Sequence, residues 1–126
     1  MIVGLGVDLV ELSRIKRAWK HFGRAFAMRI LGPNEMAGLD RHPQQIVSFL
    51  AARFAAKEAT AKALGTGFTQ QVHFHDLQIT YNALGKPELV LSGHALVHAT
   101  ALDVTRTHIS LTHDNDTAVA VVVLES

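Results

Sequence analysis

The sequence has no cysteine and no apolar segment long enough to span a membrane, and each absence excludes a class of protein. Without cysteine, the chain has neither a disulfide framework nor a thiolate metal site, and a reducing compartment suits it. The apolar N-terminal residues follow no basic segment and are interrupted by Asp8, which argues against a signal peptide. No repeat, linker or low-complexity stretch divides the 126 residues. We therefore expect one soluble, cytoplasmic domain that covers residues 1–126.

Charge is also scarce, but it is unevenly distributed. Charged residues make up 18% of the chain and hydrophobic residues 48%, which is typical of a folded globular protein. The net charge of +1 gives no reason to expect a nucleic-acid partner. However, half of the twelve Lys and Arg residues lie within residues 11–30, where Glu11 is the only acid. Such a local excess favours an acidic partner surface or a phosphate-rich ligand, although a solvated helix face has the same composition.

The hydrophobic pattern predicts an α+β domain in which a long central helix packs on a small, mainly antiparallel sheet. In chain order we predict a buried strand over 2–7, an amphipathic helix over 12–26 interrupted by Gly23, a short helix over 35–39, the central helix over 49–64, a hairpin of strands over 74–81 and 88–91, a helix over 93–102, and strands over 108–112 and 117–124. The last strand is almost continuously apolar, so it should be buried on both faces. In the helix over 93–102, the side chains that should face the core are Ala95, Leu96, Ala99 and Leu102.

The central helix carries an acid and a base on one face. At about 100° per residue, Glu58, Lys62 and Gly65 follow one another on the side that begins with Phe54. A carboxylate and an ammonium group one turn apart often form an ordinary stabilising pair. The same groups can also hold a metal ion and a phosphate side by side. Taken alone, the motif favours the ordinary pair, so a functional role for these residues needs support from the rest of the chain.

Asp8 offers a second carboxylate after the first predicted strand. An acid at this position is most often a cap for the following helix, and Ser13 is the other candidate cap. Two carboxylates, completed by waters and phosphate oxygens, also make the kind of site that Mg²⁺ accepts, because the ion dehydrates reluctantly. Asp8 and Glu58 are therefore candidate Mg²⁺ ligands. His73 and His75 have the spacing of a metal pair as well, but with no third ligand apparent we predict no site there.

Four motifs, spread over nearly the whole chain, resemble those of a known protein family. They are Gly4-Leu-Gly-Val-Asp-Leu-Val-Glu11, Arg53-Phe-Ala-Ala-Lys-Glu-Ala59 with Lys62-Ala-Leu-Gly-Thr-Gly67, Gly85-Lys-Pro87, and His108-Ile-Ser-Leu-Thr-His113. In this order they resemble the holo-acyl carrier protein synthase family, the short, single-domain type of 4′-phosphopantetheinyl transferase.

The resemblance implies a reaction and its residues. Enzymes of this family use Mg²⁺, with Mn²⁺ as an alternative, to transfer the 4′-phosphopantetheine group from coenzyme A to a serine of apo-acyl carrier protein. Adenosine 3′,5′-bisphosphate is released, and the product supports fatty acid biosynthesis. By the family's pattern, Asp8 and Glu58 bind the metal, Lys62 contacts the phosphates, and Glu58 or a metal-bound water takes the serine proton. The implied contacts to coenzyme A are Arg53, Lys62, Gly65, Gly85, Lys86, Pro87 and His108.

Several of these residues also have ordinary structural explanations. Arg53 and Lys57 form a basic stripe that can simply be a solvated helix face, and the implied glycines are common in caps and turns. His113 and Asp114 are candidate acid–base residues at a strand end, although a His-Asp pair is equally good turn chemistry.

The resemblance also supplies partners. Carrier proteins are acidic, so it implies docking through Arg14, Arg17, Lys20, His21 and Arg24, a contact that would weaken with salt. It further implies a homotrimer with active sites between subunits, and neither a nucleic acid nor a membrane as a partner.

Two other function classes would use the same residues. A metal-dependent nucleotide hydrolase would also need Asp8, Glu58 and Lys62, but it would consume coenzyme A or a nucleotide without a carrier protein. A non-catalytic carrier-binding or oligomer-forming module would need only the basic helix. Replacing Glu58 by alanine separates these alternatives, because a binding module would keep its role without the metal site.

Overall fold

Five helices and five strands make up the computed structural model, which describes all residues from 1 to 126. In chain order they are β1 (Ile2–Glu11), α1 (Leu12–Phe22), α2 (Arg24–Ile30), α3 (Pro33–Asp40), α4 (Ile46–Leu64), β2 (Leu77–Tyr81), β3 (Pro87–Leu91), α5 (Gly93–Ala101), β4 (Arg106–His113) and β5 (Thr117–Glu125). A 3₁₀ turn, Phe74–Asp76, precedes β2, so the predicted strand over 74–81 begins three residues later than expected.

Helix α4 lies across a three-stranded antiparallel sheet in the order β1-β5-β4, and β2 and β3 form a separate antiparallel hairpin. The buried side of α4 is made mostly of alanine, which lets the helix axis approach the sheet closely. Gly65 ends the helix with φ +80°, a conformation that glycine adopts without strain. The predicted α+β fold, with a long central helix on a small antiparallel sheet, is confirmed.

The contact between β1 and α4 is a backbone-to-backbone approach. A Cβ on Gly6 would lie 1.9 Å from the carbonyl oxygen of Ala59, and a Cβ on Gly4 would lie 2.2 Å from that of Ala63. No side chain larger than hydrogen fits at these two positions, because the opposing atoms belong to the helix backbone. Glycine at alternate positions of β1 therefore sets the distance between strand and helix.

Strand β1 extends beyond its predicted end at residue 7 and continues to Glu11. Asp8 lies within the strand, opposite Ala120 of β5. Helix α1 starts at Leu12 after Glu11, and no side chain caps it. The interpretation of Asp8 or Ser13 as a helix cap is therefore wrong, because Asp8 belongs to the strand ladder and Ser13 lies inside the helix.

The three-stranded sheet is covered on one face only. Its inner face packs on α4, whereas the outer face of β1 exposes Leu5, Val7 and Leu9. Alternate residues of β5 are fully buried, but Val121 on its outer face is exposed. The predictions that β1 is a buried strand and that β5 is buried on both faces are therefore wrong for a single chain, because nothing in the chain covers the outer face.

Two further helix predictions have different outcomes. As expected, Gly23, at φ +58°, interrupts the predicted helix over 12–26; it divides the segment into α1 and α2, and α2 continues to Ile30. On α5, Ala95 and Ala99 are buried as expected, but Leu96 is exposed, and so is Leu102, which lies just after the end of the helix. The alanines alone face the core on this short helix. No helix of the chain combines the length and the apolar character that crossing a membrane requires.

The glycine contact predicts a large effect of one methyl group. Gly6→Ala should destabilise the chain by about 3 kcal/mol, since neither the Ala59 carbonyl nor the strand backbone can move away freely. Urea unfolding measures the loss. Gly32→Ala is a matched control, because its Cβ would meet only the Glu35 side chain at 3.9 Å, and it should cost less than about 1 kcal/mol. Equal stabilities of the two variants would contradict this account of the packing.

Candidate active site

Asp8, Glu58 and Lys62 lie together where α4 crosses β1, and we call this group the carboxylate cluster. The Lys62 amine donates hydrogen bonds to Asp8 Oδ1 at 3.0 Å and to the Val7 carbonyl oxygen at 3.1 Å. Asp8 is mostly buried, while the Lys62 side chain is half exposed. The close approach at Gly4 and Gly6 brings Asp8 to the helix. The predicted grouping of two carboxylates and a lysine is therefore present within one chain.

Glu58 has an unusual electrostatic environment. Burial raises the pKa of its carboxyl group, and the nearby negative charge of Asp8 raises it further. Lys62 and Arg14 act in the opposite direction. Glu58 is half buried on α4. Its carboxylate is thus a stronger proton acceptor than an exposed one, and it lies beside a second carboxylate and a cation.

The chemistry of this donor set fits a hard divalent cation. Asp8 and Glu58 offer carboxylate oxygens, and their mutual repulsion decreases when a cation lies between them. No group of three or more His, Cys, Asp or Glu residues forms a complete metal cage in this chain. Mg²⁺ is suited to such a partial site because it keeps several waters and takes further oxygen ligands from a phosphate substrate.

A second candidate region lies on the other side of α4, at the β4 edge of the sheet. It is a groove of about 740 Å³ that we call the basic groove. Its lining includes three Lys or Arg residues and two His residues but no Asp or Glu; these are Arg41, Arg53, Lys86, His42 and His113. The rings of Phe49 and Tyr81 also line it. Positive charge combined with aromatic surface suits a ligand that carries phosphate and a flat ring.

The predicted Gly85-Lys86-Pro87 segment borders the basic groove and reaches His108. The segment lies in the turn between β2 and β3 and lines the groove. Lys86 and Pro87 also line a smaller adjoining depression of about 260 Å³, to which His108 contributes. His108 Nε2 lies 2.5 Å from Glu125 Oε1, and this hydrogen bond lowers the pKa of Glu125. Four of the residues that the family resemblance implies therefore lie in one neighbourhood.

Arg53 and Lys57 do not form the solvated stripe that was considered for them. The Lys57 amine is completely buried and donates to Glu35 Oε1 at 2.7 Å. Arg53 is also buried, with Phe49 and Tyr81 against its guanidinium group. Lys57 is therefore a structural residue, whereas Arg53 reaches the groove.

His113 and Asp114 have separate environments. His113 lines the basic groove, away from the carboxylate cluster. Asp114 Oδ1 accepts hydrogen bonds from the backbone N–H groups of Asp116 and Thr117, at 2.8 and 2.7 Å. These bonds lower the pKa of Asp114. Its carboxylate is engaged in the turn before β5, which is the ordinary structural explanation considered for it.

The predicted docking residues are divided between two helices. Arg14, Arg17, Lys20 and His21 are exposed on α1, and Arg14 is close enough to Glu58 to lower its pKa. Arg24 begins α2 and forms an ion pair with Asp40 at 2.7 Å. The basic face of α1 therefore adjoins the carboxylate cluster, while Arg24 is already paired.

Sequence reasoning missed several groove residues. Arg41 and His42 follow α3, Phe49 lies on α4 and Tyr81 ends β2. Residues from three separate elements have no common spacing that could identify them. The one available signal was Phe49, which lies one helical turn before Arg53 and stacks on it.

The fold and the two regions identify the class of protein. Residues 4–122 match the 4′-phosphopantetheinyl transferase superfamily, so the chain belongs to this superfamily of transferases. Within it, the chain belongs to the holo-acyl carrier protein synthase family, as its relatives indicate. A holo-[acyl-carrier-protein] synthase of Nitratidesulfovibrio vulgaris is 50% identical over 126 residues, which are 100% of both chains. The family resemblance found in the sequence is confirmed.

Solved structures agree with this assignment. The crystal structure of holo-[acyl-carrier-protein] synthase from Neisseria meningitidis superposes with a TM-score of 0.91, at 45% identity and with 100% of both chains covered. A holo-(acyl-carrier-protein) synthase from Bacillus anthracis, solved in complex with CoA (3′,5′-ADP), has a TM-score of 0.84 and 38% identity. That match covers 100% of this chain and 98% of the other.

The carboxylate cluster predicts opposite effects of two neutralising substitutions. Asp8→Asn should lower the pKa of Glu58 because it removes the neighbouring negative charge, and Lys62→Met should raise it because it removes a positive one. Titration of the Glu58 carboxyl carbon by NMR, in metal-free protein, measures both. Glu125 is the internal control, since His108 on the outer sheet face determines its pKa. Shifts of the same sign in the two variants would contradict the prediction.

Proposed function

We propose that this chain transfers the 4′-phosphopantetheine group from coenzyme A to a serine of an apo-acyl carrier protein, in a Mg²⁺-dependent reaction that releases adenosine 3′,5′-bisphosphate. The observation that carries the proposal is a carboxylate cluster and a basic, aromatic groove in one chain. The relatives add support, because they are holo-acyl carrier protein synthases and one was solved with CoA (3′,5′-ADP). The natural setting of such a reaction is fatty acid biosynthesis in the cytoplasm.

The basic groove is the proposed site for the nucleotide end of coenzyme A. Arg53 and Lys86 offer charge to phosphate oxygens, while Phe49 and Tyr81 offer ring surface to the adenine. Gly85 and Pro87 form the edge of the groove, and His108 adjoins it. The absence of carboxylates from the lining favours a polyanionic ligand over a neutral one.

The carboxylate cluster is the proposed site of the chemistry. Asp8 and Glu58 would hold Mg²⁺, or Mn²⁺, which accepts similar oxygen donors. When bound, such an ion neutralises charge on the pyrophosphate and on the leaving group. Lys62 adds a flexible cation at the exposed side of the cluster. Gly65 lies on the same face of the helix as Lys62. Because Gly65 has no side chain, the approach to Lys62 stays open.

In the proposed reaction, the serine oxygen forms a bond to the β-phosphorus of coenzyme A. The bond from that phosphorus to the adenosine 3′,5′-bisphosphate oxygen breaks. Glu58, or a water that it orients, accepts the serine proton, and the raised pKa of Glu58 brings this base closer to neutral pH. Positioning and charge neutralisation carry most of the rate in such phosphoryl transfers.

The basic face of α1 is the proposed docking surface for the carrier protein. Arg14, Arg17, Lys20 and His21 are exposed there, and Arg14 adjoins Glu58. A carrier bound along this face would present its serine next to the carboxylate cluster. Arg24 belongs to the proposed surface as well, provided that the carrier's acidic groups replace Asp40 as its partner.

A homotrimer is the proposed assembly. The carboxylate cluster lies at the β1 edge of the sheet and the basic groove at the β4 edge, so one ligand can use both regions more easily when they come from adjacent subunits. A ring of subunits joins different surfaces of neighbouring copies in this way. The exposed apolar outer face, with Leu5, Val7, Leu9 and Val121, is the surface that such an assembly would bury.

The first experiment combines the protein with coenzyme A, Mg²⁺ and an apo-acyl carrier protein and weighs the intact carrier by mass spectrometry. We expect a carrier heavier by one phosphopantetheine group. The gain should disappear in chelator and in Glu58→Ala, because both remove the proposed metal site. Consumption of coenzyme A with an unmodified carrier would indicate a hydrolase instead. Both substrates remaining intact, with several carriers tried, would favour a binding module.

The assembly has its own test. Leu5→Glu introduces a charge into the outer sheet face, so it should dissociate the trimer and strongly reduce transfer, because the two regions separate. Size-exclusion chromatography with light scattering measures the mass. Leu96→Glu, at an exposed leucine of α5, is the matched control and should leave mass and activity unchanged. A Leu5→Glu variant with wild-type mass and activity would contradict the proposed interface.

A further inference from the structure

Glu35 is a buried carboxylate that belongs to neither the carboxylate cluster nor the basic groove. It lies on α3, and 3% of its side chain is exposed. Its Oε1 accepts hydrogen bonds from Lys57 Nζ at 2.7 Å and from the Gly32 N–H at 3.1 Å. Its Oε2 accepts one from the Ile79 N–H at 3.3 Å. Donors from α4, the start of α3 and β2 therefore fix this carboxylate in position.

The fixed carboxylate faces the inner edge of Arg53. Arg53 Nε lies 3.7 Å from Glu35 Oε2, is buried and has no hydrogen-bond partner. The guanidinium carbon lies 3.6 Å from the centroid of the Phe49 ring and 5.2 Å from that of Tyr81. One carboxylate and two rings thus restrict the guanidinium plane. Arg53 lines the basic groove, so its guanidinium group forms part of the groove wall, beside Tyr81.

The charges of Glu35, Lys57 and Arg53, which lie together in this buried region, do not cancel. Lys57 makes the direct ion pair with Glu35 and also donates to the carbonyl oxygens of Ile30, at 2.6 Å, and Phe74, at 3.2 Å. One acid therefore faces two bases, and Lys57 takes the shorter contact. Burial lowers the pKa of Arg53, while Tyr81 and Glu35 oppose that shift. The excess positive charge is left on Arg53, at the wall of the groove.

We propose that Glu35 is a positioning residue for coenzyme A binding: it holds the inner edge of the Arg53 guanidinium so that the outer edge faces a phosphate group in the basic groove. Lys57 allows a charged carboxylate to stay buried at this point without cancelling the charge of Arg53. The inference rests on the proposed function, because the phosphate is that of coenzyme A.

The test is Glu35→Gln, which keeps the side-chain volume but removes the charge. We expect the KM for coenzyme A to rise about tenfold while kcat stays within about twofold, because a misaligned Arg53 weakens binding without touching the reacting atoms. Calorimetric titration with coenzyme A and Mg²⁺ should show the same loss of affinity. Asp40→Asn is the matched control, since it removes an exposed carboxylate from the same helix and should leave the KM for coenzyme A unchanged.

Two further variants separate positioning from a purely structural role. In an Arg53→Ala background, Glu35→Gln should add little to the KM, because the residue through which it acts is absent. If Glu35→Gln does not fold, Glu35→Gln/Lys57→Met removes both partners of the ion pair, and the same rise in KM is expected.

Three outcomes would overturn the inference. They are an unchanged KM in a folded Glu35 variant, kcat and KM affected equally, and independent, additive effects of Glu35→Gln and Arg53→Ala. By contrast, a wild-type protein that fails to modify any carrier would contradict the proposed function itself. The mass measurement on wild-type protein therefore distinguishes the two failures.

Discussion

The backbone contact between β1 and α4 is the constraint on which the rest of this structure depends. Gly4 and Gly6 allow the strand to lie against the carbonyl oxygens of Ala63 and Ala59, where any Cβ would collide. Because inward positions of a strand alternate, the next inward residue is Asp8, which reaches Lys62 at 3.0 Å. The same packing that builds the core therefore assembles the carboxylate cluster, so core and site cannot vary independently.

Helix α4 distributes two kinds of charge to two sides of the molecule. Glu58 and Lys62 point to the β1 edge of the sheet, while Arg53 points to the β4 edge and Lys57 into the core. Because of this separation, the residues that the family resemblance implies for coenzyme A are divided between the carboxylate cluster and the basic groove of a single chain. An uncovered apolar sheet face lies between these edges, and it is the face that the proposed trimer would bury.

Much of the fold was predictable because it rests on local periodicity. The alanine-rich run and glycine cap predicted α4, and the alternation of Leu77, Ile79 and Tyr81 predicted β2, although β2 begins three residues after its predicted start. The errors concern partners that periodicity does not report. Asp8 looked like a cap because its ladder partner, Ala120, is distant in sequence, and Leu96 looked buried because only the packing of α5 decides which face is covered.

The sequence by itself determined the family, the α+β class and the acid and base of the central helix, because these follow from residue type and spacing. Only the tertiary structure decided that Lys57 is buried against Glu35, that Arg53 shares a groove with Arg41 and Lys86, and that the sheet has one uncovered face. The physical reason is that burial and ion pairing depend on contacts between elements far apart in the chain. Such contacts leave no local pattern.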